Sequence, residues 1–169
     1  MSLVLRPFEL TDEVAALAAA QEFPDSGFDF LGFDFDPEVP WERWIGLMEN
    51  YRRGVDLPAN RVRGAMLAAD VDGQLVGCSS IRFALNDYLA VRGGHIGYGV
   101  IPRFRRRGYA TAILVESINI AREEGAGDLL VSCDDDNVGS ATVIERCGGV
   151  LESVVVANDG TMFRRYWIH

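Results

Sequence analysis

The stretch His95-Ile-Gly-Tyr-Gly-Val-Ile-Pro102, Arg103-Phe-Arg-Arg-Arg-Gly-Tyr-Ala110 and Thr111 to Glu124 decides how this chain folds. Ile96, Tyr98, Val100 and Ile101 read as a strand ending at Pro102, whose nitrogen cannot donate to a ladder. Ala110, Ile113, Leu114, Ser117, Ile118 and Ala121 form an apolar stripe at three- and four-residue spacing, which predicts a helix stopped by Gly125. Arg105, Arg106, Arg107 and Gly108 make the turn between the two. The first turn of a helix leaves its N–H groups unpaired and carries about half a positive charge. Gly108 has no side chain to hold a ligand away from that backbone, and three guanidiniums beside it suit phosphate oxygens. A pyrophosphate fits such a turn. The same residues also read as a solvated basic turn before an ordinary helix, because glycine-containing turns of this kind are common.

Two motifs add a family likeness. Arg105-Arg-Arg-Gly108-Tyr-Ala110 matches the Arg/Gln-x-x-Gly-x-Gly/Ala signature of the GNAT superfamily of N-acetyltransferases, set as usual between a strand ending in Val-x-Pro and a long amphipathic helix. Downstream, Asn137-Val-Gly-Ser140 through Glu145-Arg-Cys-Gly148-Gly149 resembles the Asn-x-x-Ser to Glu-Lys-x-Gly-Phe region of the same superfamily. The likeness runs from about Arg63 to Val156 and is weak before that. It implies acetyl-CoA as cosubstrate and an amine as acceptor.

Composition bounds the rest. The chain has 169 residues, nearly half of them hydrophobic, enough for one domain over 1–169 with a sizeable core. No apolar run approaches the roughly 20 residues that span a bilayer, and Met1-Ser-Leu-Val-Leu-Arg reads as a first strand rather than a leader, so a cytoplasmic protein is expected. Cys78, Cys133 and Cys147 form no metal-ligand pair, and an odd count argues against a disulfide framework; all three are expected to be reduced and buried. The net charge of −9 argues against nucleic acid as a partner and favours a cationic acceptor drawn by long-range attraction. All sixteen basic residues are arginine.

In chain order, Leu3 to Arg6 is a short strand, and Thr11 or Asp12 caps a helix running to about Ala20. Phe23, Phe28, Phe30, Phe33 and Phe35 alternate with Asp25, Asp29, Asp34, Asp36 and Glu38, and Pro24, Gly27, Gly32 and Pro37 make this an irregular loop. It either tucks aromatics onto the core or forms an acceptor-binding lip. A second helix starts at Pro40-Trp41, carries Trp44, Leu47, Met48 and Tyr51 on one stripe, and ends near Gly54. Arg63 to Asp70 and Gln74 to Phe83 form a hairpin across Val71-Asp72-Gly73. After the central strand and helix come a buried strand (Asp128 to Cys133), a helix opening at Asn137, and a hairpin pairing Val150 to Ala157 with Met162 to Ile168 across Asn158-Asp-Gly160. The fold class is α/β (α+β): a GNAT-like mixed, mostly antiparallel sheet flanked by helices, in the order β-α-α-β-β-β-α-β-α-β-β.

By resemblance, the pantetheine chain pairs with backbone near Tyr98, Gly99 and Val100, the pyrophosphate with Arg105, Arg106, Arg107, Gly108, Tyr109 and Ala110, and the N–H at or beside Val100 polarises the thioester carbonyl. Gly97 and Gly99 suit this or a plain bulge. His95 stands where many relatives have a glutamate base; its ordinary pKa near 6.5 suits proton removal, though a satisfied strand histidine explains it too. Many relatives place an acidic tyrosine seven residues after the asparagine, where this chain has Ile144, which donates nothing. Ser140, Cys147, Tyr109 and Tyr98 are the remaining proton donors near the site. Asn137 either contacts the cofactor or simply caps its helix. Asp134-Asp-Asp136 reads as a solvated turn or a contact to a cationic acceptor. No metal is implied, and pairing into a homodimer stays open. Two other readings remain: an acyl-CoA-binding regulatory domain without catalysis, and a nucleic-acid patch at Arg103 to Arg107.

Overall fold

The computed structural model describes residues 2–23, 27–32 and 35–169. In chain order the elements are β1 (Leu3–Pro7), α1 (Glu13–Ala20), α2 (Trp41–Arg53), β2 (Gly64–Val71), β3 (Gln74–Arg82), α3 (Asp87–Val91), β4 (Ile96–Val100), α4 (Tyr109–Glu123), β5 (Leu129–Asp134), α5 (Val138–Arg146), β6 (Val150–Val156) and β7 (Met162–Ile168). The expected order holds except for α3. That helix has only five residues, too few for a periodic stripe, and exists because Asn86 accepts the Leu89 N–H at 2.9 Å. No described helix is long and apolar enough to cross a membrane.

The strands form two antiparallel sheets, β1-β2-β3-β4 and β5-β7-β6. Asp72 and Gly73 both take positive φ in the β2–β3 turn, which leaves Val71 in the strand rather than in the turn. α4 packs across the first sheet: Ile113, Leu114, Ser117, Ile118 and Ala121 are all buried, as their spacing requires. The one polar member is satisfied, since the Ser117 hydroxyl donates to the Ile113 carbonyl and meets the Ser79 hydroxyl, each at 2.7 Å. The opposite face carries α1, α2 and the aromatics Phe23, Phe30, Trp41 and Trp44. Leu47 departs from the expected stripe and is exposed; Trp41 takes its place in the core. Asp12 is the N-cap residue of α1 by position, but its carboxylate accepts none of that helix's N–H groups. Its carboxylate accepts the Glu9 N–H and pairs with Arg6 at 2.7 and 2.9 Å, tying β1 to the start of α1.

The two sheets meet at one place. Gly94 bridges Val131, the His95 N–H donates to the Leu130 carbonyl at 2.7 Å, and the Leu130 N–H donates to His95 Nδ1 at 2.9 Å. Gly94 has φ +63°, and a Cβ there would lie 2.3 Å from the Leu130 carbonyl oxygen. Any side chain would push the sheets apart. Gly94→Ala is therefore expected to lose more than about 2 kcal/mol in a urea titration, whereas Gly127→Ala, with nothing within 4 Å, is expected to stay within about 0.5 kcal/mol of the parent.

Candidate active site

Beyond the Gly94 bridge, β4 has a ladder on one side only. Ile101 donates its N–H to Val76 at 3.0 Å, so alternate residues of β4 aim their backbone groups at β3. Tyr98 and Val100 therefore aim theirs the other way, toward β5, where no ladder receives them. The Val100 carbonyl is met by Arg105 Nε at 3.2 Å, which anchors the basic turn to the end of this open edge. The register of β4 against β3 runs unbroken from Ile96 to Val100, so neither glycine marks a bulge. Packing accounts for Gly99, where a Cβ would strike the Phe28 ring at 2.5 Å, whereas a Cβ on Gly97 would make only an ordinary contact with the Arg82 guanidinium at 3.5 Å.

The turn after β4 has the geometry of an anion site. Gly108 is the N-cap of α4, has φ +82°, and offers no side-chain cap to the first-turn N–H groups. A Cβ at Gly108 would meet nothing within 4 Å, so the approach to that backbone is open. Arg106 also has positive φ, 65°, which curls the chain around the helix start. Arg105, Arg106 and Arg107 are exposed. Arg105 lies over the Phe23 ring and Arg107 over Phe104, while Arg103 is tied to Glu22. Three exposed arginines thus precede a bare helix start, with Tyr109 and Ala110 half-buried after it.

Tyr98 spans the gap between the sheets. Its hydroxyl lies 3.0 Å from the Ser140 hydroxyl, in the first turn of α5, and 3.4 Å from the Ser140 carbonyl. Burial pushes the phenol up to about 12. Cys133 and Cys147, both half-buried rather than fully buried, flank the pair, and burial raises both thiols. Cys78 is the buried cysteine. Ile144 is fully buried in the core between α5 and the second sheet. Asn137 caps α5, accepting the Ser140 N–H at 3.1 Å, and so orients Ser140 toward Tyr98. Of the three consecutive aspartates, Asp135 pairs with Arg164 at 2.7 Å and Asp134 stands 4.0 Å from Arg92.

His95 is brought to the vertex where the sheets join. It is buried, and its Nδ1 lone pair accepts the Leu130 N–H. That bond places the proton of the neutral ring on Nε2, leaving no free lone pair for a substrate proton. Burial first, and the charge of Arg82 second, hold its pKa below the usual histidine value.

The described part of the aromatic segment tucks most of its rings onto the core. Phe23 and Phe30 are buried and stacked 5.6 Å apart, and Phe35 packs on Trp41 and Trp44. Phe28 instead lies on β4 at Gly99, while Asp29, Asp36 and Glu38 are exposed. Pro24, Asp25, Phe33 and Asp34 lie outside the described residues. The alternation of Gly97 and Gly99 was the signal in the sequence for side chains closing over this face; which side chains they are depends on long-range packing.

A family model for the GNAT acetyltransferase domain matches residues 2–150. The chain therefore belongs to the GNAT acetyltransferase family. Three solved structures share the fold. A ribosomal-protein-alanine N-acetyltransferase from Brucella melitensis is 20% identical with a TM-score of 0.68, over 97% of this chain and 98% of that one. RimL, a ribosomal L7/L12 α-N-protein acetyltransferase in complex with coenzyme A, is 17% identical with a TM-score of 0.69, over 99% of this chain and 93% of that one. An N-acetyltransferase from Staphylococcus aureus Mu50 is 14% identical with a TM-score of 0.69, over 99% and 98%. No curated protein sequence matches the chain.

The histidine at the vertex has a measurable signature. A depressed folded-state pKa stabilises the fold fully above the unfolded value near 6.5, and this contribution is lost as pH falls through the folded value. Between pH 8 and pH 5, the urea midpoint of the parent is expected to fall further than that of His95→Gln. At pH 8 the variant is expected to be less stable by about 1–3 kcal/mol, the range for leaving a buried N–H unpaired.

Proposed function

We propose that the chain transfers the acetyl group of acetyl-CoA to the nitrogen of an amine, by direct attack while both are bound. One observation carries the reading: the open backbone edge of Tyr98 and Val100 leads, through the turn at Pro102–Phe104 and three exposed arginines, to the bare start of α4 at Gly108. A thioester with a pyrophosphate tail fits that arrangement, with the diphosphate at the helix start and the carbonyl at the strand edge. Gly108, Ala110 and the guanidiniums of Arg105, Arg106 and Arg107 hold the phosphates. The backbone of Tyr98, Gly99 and Val100 lines the acyl end, with the Val100 N–H donating to the carbonyl oxygen as negative charge develops there. Among the described residues no group of three or more side chains could hold a metal ion.

The leaving thiolate is met by the Tyr98–Ser140 pair. A phenol pushed up to about 12 stays protonated at neutral pH and so remains a donor. Complete transfer of its proton to a thiolate, whose ordinary pKa is near 8.5, would be uphill. Tyr98 therefore stabilises the thiolate by a hydrogen bond while solvent, reached through Ser140, completes the protonation. This pair supplies what Ile144 cannot. Ser140 is presented by the Asn137 cap, which gives Asn137 an indirect part in the site. The amine loses its proton to water before attack, because the His95 lone pair is engaged.

The alternative is a domain that binds acyl-CoA without turnover, kept open by the buried Ile144. Release of free thiol from acetyl-CoA across a panel of amines decides between the two.

Acetyl-CoA at about 100 times its Kd is expected to raise the Tm by roughly 5–10 °C, following about 2.7 kcal/mol of ligand-linked stabilisation. Gly108→Leu is expected to remove that shift, measured against the variant's own unliganded Tm; a shift of parental size would place the phosphates elsewhere. Tyr98→Phe is expected to lower kcat by 10-fold or more with the acetyl-CoA shift retained. In the parent, kcat/KM is expected to climb with pH toward the acceptor's own pKa, and His95→Gln to follow the same curve within about twofold; a profile flattened near neutrality by that variant would restore the histidine as base.

A further inference from the structure

β6 is a free edge of the second sheet, since it pairs with β7 alone. The Ala157 N–H donates to the Thr161 carbonyl at 2.8 Å, so alternate residues of β6 aim their backbone groups at β7, and Val154 and Val156 aim theirs outward. Leu151, Val154 and Val156 stand opposite Tyr166, Arg164 and Met162, which puts all of them on one face. The register shift between Leu151 and Ser153 keeps Leu151 in phase with the two valines. Along that face Leu151 is 48% exposed, Val154 45%, Val156 63% and Met162 46%, an apolar band at the rim of a sheet. The one charge on β6 is engaged elsewhere: Glu152 accepts from Arg165 Nε at 2.6 Å and from Trp167 Nε1 at 2.9 Å. Monomeric proteins usually blunt such an edge with a free charge or a proline. β1, the outer edge of the first sheet, carries Arg6 and Pro7. β6 has no proline and no second charge.

We propose that β6 pairs with β6 of a second copy of this chain, antiparallel across a two-fold axis, so that the two three-stranded sheets join into one. This claim is independent of the transferase reading. An antiparallel edge is its own complement: the outward N–H and C=O groups of Val154 and Val156 meet the same groups of the second copy, and both rows are satisfied at once. The valines then lie against their own copies, and the band leaves water. Charge selects this occupant and this orientation. Two chains that each carry −9 repel one another at most approaches, whereas the band sets no charge against its copy. Arg146 is exposed in the last turn of α5, just before β6. Asp159 is exposed in the turn just after β6, its carboxylate accepting the Thr161 N–H at 3.0 Å and the Thr161 hydroxyl at 2.6 Å. Antiparallel pairing sets the Arg146 end of each copy beside the Asp159 end of the other, twice over. Parallel pairing would set like charges together.

Sedimentation equilibrium of the parent chain over about 1 to 100 µM tests the pairing. The expected mass is twice the 18.6 kDa of one chain, and Val154→Lys and Val156→Lys are each expected to give the single-chain mass across that range. Both positions are exposed, so both variants are expected to keep the parental far-UV spectrum; if one does not fold, the other carries the test. Val14→Lys, the same change on α1 at 81% exposure, is expected to leave the dimer intact. Arg146→Asp is expected to raise the dissociation constant of the dimer about fivefold at low salt, and a constant equal to the parent's would overturn the antiparallel orientation. A parent of single-chain mass at about 100 µM would overturn the proposal and leave the edge to a strand from another protein. A dimer that persists in both lysine variants would put the interface on another face and overturn it as well.

Discussion

The site depends on a reciprocal pair of hydrogen bonds between His95 and Leu130. The backbone of His95 donates to Leu130, and the backbone of Leu130 donates to the His95 ring. Together with the side-chain-free approach at Gly94, these two bonds join the sheets at one point. A continuous ladder between β4 and β5 would have consumed the backbone groups of Tyr98 and Val100. A missing junction would have let the two sheets drift, and Tyr98 would no longer reach Ser140. One short stitch leaves the edge open and still holds its geometry.

The faces of β4 then divide the work. Ile96 turns toward α4 and closes the core. Tyr98 turns toward α5 and meets Ser140, bridging the two halves of the molecule. Gly97 and Gly99 turn the other way; the missing side chain of Gly99 admits Phe28 from the aromatic segment, and Arg82 of β3 stands beside Gly97. A period of two residues thus places the Tyr98 hydroxyl on one side of a single strand and the two glycines on the other.

Charge is similarly divided. The chain is strongly acidic, yet three consecutive arginines, Arg105 to Arg107, stand just before the start of α4. Several arginines elsewhere are paired with neighbours, as Arg6 is with Asp12 and Asp70, Arg165 with Glu152, and Arg164 with Asp135.

Local signals settled most of the architecture. The 3.6-residue stripe of α4, the Asp72-Gly73 and Asn158-Asp-Gly160 turns, and Pro102 at the strand exit each act over a few residues, so they were legible without the fold. The basic turn with Gly108 was legible for the same reason: a glycine at a helix start behind three arginines is a run of consecutive residues. Helix α3 was not, being one capped turn without a period, and the exposure of Leu47 was not, because Trp41 competes for the same core space. What His95 does could only be decided in three dimensions, since its partner stands 35 positions away on another sheet. The same holds for Tyr98 with Ser140 and for Arg82 beside Gly97. The sequence by itself determined the family, most of the elements and the basic turn before α4, because those follow from short-range periodicity and backbone chemistry. Tertiary structure alone decided which polar groups remain available for chemistry, because availability depends on what packs against each group from distant parts of the chain.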